Sequence, residues 1–576
     1  LKAGDMRATG GPTSPGLDPV SRSELFGVAW FTLLFVAAVG IANGDANQSS
    51  YLLPGLRMAD PGFLPGDWYT WNVTHSQWAF SLLVAGLAKS GFLELGLTLG
   101  AVVQNSLFCV GLYYLLRVIY DRPVVPWAAA LALFAALGTA SLGNSRWVMP
   151  FLEASSLSGV ALVLAMALLA RQRVVLAGLA FGLAGLLHEH FVILCLPLLA
   201  AATLVMITPR AGTIPWKKLG GLWAMFILVS APTLFTLVQF AAAPGTEEIR
   251  WLTASLFPYH VDPSSWKNYF YLVFAAALLV GSGGVLLHAP RWNREIAFAL
   301  GAIVIAVSFS LLLAYSPGKM LVMQVWPWRL SALVILAGLV SAAAALAAPE
   351  SWRSARPGNA ELGFGLLLLG VAILAREIYR SGSHVLLALC ALPLASWASE
   401  FVASRFRGFR PPRRLLMGVI VTVAFMPVVA KGLRTSHFDI RPEDDDRFPL
   451  YAWVRAKTPK DAVFTVPPRW EDFRLNARRP LLVDWKSIPR YAPNRIEWLE
   501  RIRALTEVQR PGADAADLDV AYATMDCERA ETIRRRFHAR FVIHERPKLL
   551  ECGRLVYEDA RFRVWDLAEI TPTSSP

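Results

Sequence analysis

The chain of 576 residues is 55% hydrophobic and only 17% charged, whereas a soluble globular protein carries about 25% charged residues, so an ordinary water-soluble enzyme is excluded. Its formal net charge of +13 does not point to nucleic acid, because the Lys and Arg residues fall in short clusters between apolar runs rather than on one aromatic-rich face. Nor do its cysteines make a disulfide framework: Cys109, Cys195 and Cys390 lie inside apolar segments, leaving Cys527 and Cys552 as a pair that could bridge in an oxidising compartment.

Residues 1–23, rich in Gly, Pro and Ser, read as a disordered cytoplasmic tail. From Glu24 to Lys431 apolar runs recur, many near the ~20 residues that cross a bilayer. They predict about thirteen spans, near 24–43, 92–118, 124–142, 153–170, 174–188, 190–208, 219–241, 269–288, 296–315, 329–348, 362–380, 383–403 and 415–432. The first ends without a small-residue cleavage pattern and is expected to be a retained helix.

Alternate loops divide by charge. One set carries Arg117, Arg122, Arg171, Arg173, Arg210, Lys217, Lys218, Arg291, Arg294, Arg353, Arg356 and the cluster from Arg405 to Arg414; the other holds mainly Arg57, Arg146, Arg250, Lys267, Lys319, Arg376 and Arg380. The positive-inside rule puts the first set, and the N-terminus, in the cytoplasm. An odd number of spans then places the C-terminal region outside, as in an inner-membrane-type protein.

The first external loop, 44–91, is long for a compact protein, and such loops are usually functional. Tyr51, Leu52 and Leu56, then Trp78, Leu82 and Leu83, recur at helical spacing and predict two short amphipathic helices in the membrane interface. Between them Pro61, Gly62, Pro65 and Gly66 break the chain and leave Asp67 on a turn, with Trp68, Tyr69 and Trp71 as headgroup-depth anchors. Further on, His188-Glu189-His190 interrupts an apolar run where polar groups are costly; the spacing suits a break between spans, with His188 or Glu189 facing a cavity, better than a metal pair. A Ser-Pro-Gly-Lys turn ends at Lys319 and is followed by Trp326, Trp328 and Arg329, combining broken backbone, cations and aromatic anchors. The acidic run Glu443 to Asp446 reads as a solvated linker rather than a calcium site.

Residues 433–576 change character. Apolar runs at 462–466, 480–484, 540–544 and 562–566 predict strands, and 494–505 and 526–537 predict helices, an α/β domain large enough for its own core. Trp470, Phe473, Arg474, Asp484, Trp485 and Lys486 gather near strand ends, where α/β folds bind ligands.

Asn47-Gln48, Tyr51-Leu52, Asp60-Pro61, Asp67-Trp68 and His75 in the loop, with Trp453-Val454-Arg455, Thr458 to Phe464 and Pro467-Pro468 in the soluble part, resemble the GT-C class of membrane glycosyltransferases. The resemblance extends in architecture over 24–432 and 433–576. It implies a GT-C-like helical membrane domain with a C-terminal extracytoplasmic α/β domain, working among membrane lipids. A polyprenyl-phosphate-linked sugar would be the donor, a divalent cation is left open as cofactor, and a glycan, lipid or protein would be the acceptor. Many of the class carry adjacent acidic residues or Asp-x-Asp after the first helix; this loop has isolated Asp45, Asp60 and Asp67 instead. For the base that activates the acceptor hydroxyl, Asp67 comes first and Asp45 second. For the phosphate, Arg57, His75, Arg146, His188, Glu189, His190, Lys319 and Arg329 are the substrate-binding candidates. The alternatives are a non-catalytic scaffold of the same shape that binds or assembles polysaccharide, and a secondary transporter, against which stands the lack of a convincing internal repeat.

Overall fold

The computed structural model describes residues 20–44, 46–118, 120, 123–138, 141–208, 214–242, 260, 262–288, 294–314, 326–347, 359–380, 413–441, 444–508 and 515–569. Its long apolar helices are α1 (Arg22–Val39), α5 (Leu93–Leu116), α6 (Val124–Leu137), α7 (Ala154–Ala170), α8 (Val174–Leu187), α9 (Glu189–Ile207), α10 (Trp216–Ala242), α11 (Asn268–His288), α12 (Arg294–Ala314), α13 (Ser331–Ala347), α14 (Asn359–Arg380) and α15 (Arg413–Thr435). Between α1 and α5 come α2 (Ala46–Ala59), α3 (Trp68–Asn72) and α4 (Trp78–Lys89). Helices overlie each expected span except 383–403, which lies outside the described residues.

The protein is a multi-pass helical membrane protein. Six of the described segments are long and apolar enough to cross a bilayer by length and composition: Arg22–Val39, Leu93–Leu116, Glu189–Ile207, Trp216–Gln239, Pro327–Ala347 and Arg414–Thr435, with shorter apolar helices among them. Exposed Leu25, Phe26 and Leu33 on α1 and Ile305, Phe309 and Leu312 on α12 are what a lipid-facing surface requires. Inside the bundle the helices approach closely on small residues, as membrane helices do. On α15 a Cβ at Gly432 would collide with the Ala37 and Ala38 carbonyls of α1, so that crossing admits only glycine.

After α15 the chain forms α16 (Phe448–Lys457), β1 (Val463–Thr465), α17 (Phe473–Ala477), α18 (Ala492–Thr506), α19 (Ala515–Ala523), α20 (Cys527–Phe537), β2 (Ala539–Glu545), β3 (Arg554–Glu558) and β4 (Phe562–Asp566). The strands make one mixed sheet in the order β1-β2-β4-β3, parallel only between β1 and β2. Alternation along β2 sends Phe541 and Ile543 into one core layer and Val542 into the other, so both faces of the sheet are covered. The run 480–484 forms no full strand; it makes a single bridge, Leu481 beside Phe464. Cys527 and Cys552 are bridged, with Cα atoms 5.6 Å apart.

The first loop does not lie apart from this region. Leu53, Leu64, Trp68, Tyr69 and Val73 are buried in the same apolar cluster as Trp485, Trp498, Val542 and Trp565. The loop is therefore clamped between the bundle end and the C-terminal sheet.

Candidate functional site

Where the bundle end, the first loop and the C-terminal region meet there is a cavity of about 350 Å³. Its walls come from six separated stretches of chain: Asn47 to Tyr51 on α2, Tyr69 to Gln77, Asn144 to Ser155, His260, Trp326 with Arg329, and Lys486 to Arg495. Gly143 makes one corner possible. Its φ is +66°, and a Cβ there would strike the Trp328 indole and the His260 carbonyl, which is the situation that selects glycine. The His260 ring is held by a 2.6 Å contact from Nδ1 to the Gly143 carbonyl, and the Trp328 indole N–H donates to the His260 carbonyl at 2.6 Å.

The cations on these walls are not all neutralised. Arg146, Arg329 and Lys486 line the cavity, and among the described residues none of them has a carboxylate partner; Arg329 stacks over Trp326 at 4.9 Å. His260 feels all three. Burial first, then the nearby charges of Arg329, Lys486 and Arg146, push its imidazole down to about 3, so it stays neutral. His75 is likewise lowered to about 4 by burial and contacts the Tyr69 carbonyl at 3.2 Å. The Tyr51 phenol is pushed up to about 12, by burial and then by Glu153.

Two buried carboxylates bear on this cationic space: Glu153 on its wall, and behind it Glu189, which like His188 and His190 is not on the wall. Glu153, 1% exposed, caps the start of α7. Asn47 Nδ2 donates to its Oε2 at 3.0 Å, and the Ser156 and Ser155 hydroxyls donate to its Oε1. Among the described residues no cation pairs with it. Glu189 is different: it opens α9, accepts from Ser76 Oγ at 2.9 Å and Gln77 Nε2 at 3.1 Å, and pairs with Arg490 Nε at 3.1 Å.

The residues expected from the sequence divide accordingly. His75, Arg146 and Arg329 line the cavity. His188, Glu189 and His190 form the expected break: α8 ends at Leu187, His188 is extended, and its Nδ1 accepts from the His190 N–H at 3.3 Å. Asp67 is not on the cavity wall. It is fully buried, caps α3 through Thr70 N–H (2.8 Å), and accepts from Arg474 Nε (2.8 Å) and Leu481 N–H (2.9 Å). Arg474 also pairs with Asp484. Arg57 is equally committed, donating to the Thr70 carbonyl at 2.8 Å and lying 4.1 Å over Trp71. Asp45 and Lys319 lie outside the described residues.

Sequence reasoning did not single out Glu153, His260, Arg490 or Arg495. Glu153 carried a signal, a carboxylate at the very edge of an apolar run; Arg490 and Arg495 carried none, since only folding brings them to the bundle.

For a metal, His188, Glu189 and His190 offer ligand atoms within 4.8 Å of one another. Arg490 already fills that role, neutralising Glu189 and contacting His190 Nε2 at 3.1 Å. A divalent cation would have to displace a guanidinium, so these residues as arranged do not fit one.

Residues 446–505 match a family described as a domain of unknown function (DUF6798). No curated protein matches the chain in sequence. Among solved structures, ArnT from Cupriavidus metallidurans in the apo state is similar over 94% of this chain and 97% of its own, at 13% identity and a TM-score of 0.45. The oligosaccharyltransferase AglB from Archaeoglobus fulgidus, in complex with an inhibitory peptide and a dolichol-phosphate, is similar over 91% of this chain and 69% of its own, at 11% identity and a TM-score of 0.46.

Proposed function

We propose that the protein is a GT-C-like glycosyltransferase that moves a sugar from a polyprenyl-phosphate donor to an acceptor hydroxyl. The observation that carries this reading is one cavity at the end of a membrane bundle in which, among the described residues, Arg146, Arg329 and Lys486 make no ion pair with a carboxylate and the buried Glu153 makes none with a cation. A phosphate ester at the membrane surface supplies the missing negative charge, and Arg146, Arg329 and Lys486 are its ligands. Glu153 is the proton acceptor: its oxygens are oriented by Asn47, Ser155 and Ser156, and burial holds its carboxyl above the usual carboxylate range against the nearby Arg329 charge. As the acceptor oxygen attacks the anomeric carbon, its proton passes to Glu153. The bond from that carbon to the phosphate oxygen breaks, and the phosphate leaves with the electron pair, held by the three cations.

In this reading residues 24–432 are the membrane domain and 433–576 an extracytoplasmic domain, with the N-terminus cytoplasmic. The charge asymmetry of the loops and the Cys527–Cys552 bridge, which suits an oxidising compartment, support that orientation. Asp67 takes a structural place rather than the role of base.

The test is lipid-linked sugar analysis of cells producing wild type or Glu153→Gln. Loss of a general base costs about 10²–10⁴-fold in rate, so the Gln variant should accumulate donor as the deletion does. Glu153→Gln cells with a wild-type profile would end the enzymatic reading; the scaffold reading would then take its place.

A further inference from the structure

The cavity is not complete on the membrane bundle alone, and the C-terminal region reaches it through one short arm. Asp484 Oδ1 accepts from the Ser487 N–H at 2.7 Å and starts the arm; Arg495 braces its far side, donating to the Pro489 carbonyl at 3.0 Å and the Arg490 carbonyl at 2.9 Å. At its tip the Arg490 guanidinium does three things at once. Its Nε pairs with Glu189 Oε1 at 3.1 Å, its Nη1 lies 3.1 Å from His190 Nε2, and its plane sits 5.3 Å over Trp326. A guanidinium N–H only donates, so His190 Nε2 must accept. Glu189 in turn receives Ser76 and Gln77, which are part of the cavity wall.

We infer that Arg490 is a positioning residue: by neutralising Glu189 and orienting His190 it sets the Ser76–Gln77 wall and keeps the cavity receptive to an anionic lipid headgroup. This rests on the reading of the cavity as a phosphate-binding transfer site. Glu189 is 2% exposed, and a buried carboxylate stripped of its cation repels any phosphate brought beside it. The charge of Arg490 is therefore spent on Glu189 and not on the donor, which separates it from Arg146, Arg329 and Lys486. Seating of the C-terminal region and competence of the membrane site become one event.

The experiment is a double-substitution cycle on the full-length protein in nanodiscs, with farnesyl phosphate as probe and the apparent melting temperature as a second readout. Arg490→Gln should weaken farnesyl phosphate binding roughly 10–100-fold, the effect of an uncompensated nearby charge. Glu189→Gln, which leaves the Arg490 charge unopposed at the cavity, should bind at least as tightly as wild type. The double variant Arg490→Gln/Glu189→Gln should recover binding to within about threefold, because a neutral pair leaves no charge stranded. Arg490→Lys, which keeps the charge but loses the fork, should fall between. If the double variant stays as weak as Arg490→Gln, Arg490 binds the phosphate itself and the inference is overturned; an unchanged Arg490→Gln overturns it too. Wild type failing to bind the probe would remove the proposed donor chemistry. The cycle in melting temperature would then still decide Arg490: coupling between the two positions keeps it as the brace of Glu189, and additivity removes it.

Discussion

Replacing Arg474 with Met should destabilise the junction between the first loop and the C-terminal region. The guanidinium sits between Asp67 and Asp484, with side chains 1%, 0% and 0% exposed, and also donates to the Leu481 carbonyl at 3.2 Å. Methionine fills much of the volume but leaves two buried carboxylates facing each other. Removing one partner from a buried ion pair costs about 3–5 kcal/mol, and for a unit of roughly 150 residues each kcal/mol moves the melting temperature by about 2–4 °C. The expected shift is therefore on the order of 6–20 °C downward, read by tryptophan fluorescence on detergent-solubilised protein. Asp67→Asn can keep the Thr70 cap through its amide oxygen but turns a donor toward Arg474 and the Leu481 N–H, so it should also lower melting, and transfer should fall only in step with folding. An Arg474→Met protein melting within about 2 °C of wild type, or an Asp67→Asn protein that folds normally and has lost transfer altogether, would refute the reasoning and return Asp67 to the chemistry.

Four further outcomes are expected. His75, His260 and His544 are held neutral by burial, at about 4, 3 and 3. The unfolded chain then takes up protons first as pH falls below about 6.5, so stability declines from there toward about pH 4, and His544→Gln should flatten that decline in a melting series. Asp519, raised to about 6 by burial, works in the opposite sense, and Asp519→Asn should remove a loss of stability that develops as pH rises through about 6. Breaking the Cys527–Cys552 bridge, which spans 25 residues, by Cys552→Ser should cost about 2–4 kcal/mol; a thermal shift by dithiothreitol in wild type and none in the variant would check it. Lys486→Gln should weaken farnesyl phosphate binding and reduce its dependence on salt, because a cation facing the anion has been removed.

The transmembrane helices were legible because crossing a bilayer demands ~20 apolar residues in a row, a constraint that any window of the sequence displays. The break at His188 was legible for the same reason, since polar groups there interrupt an apolar run. In the soluble part, apolar runs announced β1, β2 and β4, with the run at 480–484 forming only a bridge, but β3, Arg-Leu-Val-Tyr-Glu, is an edge strand with a partly exposed face and carries little apolar signal.

The site is another matter. In the sequence Asp67 looks like a reactive carboxylate on a turn, and Glu153 like the first residue of a span. The fold gives them different surroundings: Asp67 meets Arg474 across 407 positions, while among the described residues Glu153 is hydrogen-bonded by hydroxyl and amide donors and makes no ion pair. Local patterning by itself determined which segments enter the membrane, because that depends on each segment's own transfer energy. Which carboxylate and which cations face the same 350 Å³ was decided only by tertiary structure, because the neutralising partner of each charge comes from a stretch of chain that no neighbouring residue specifies.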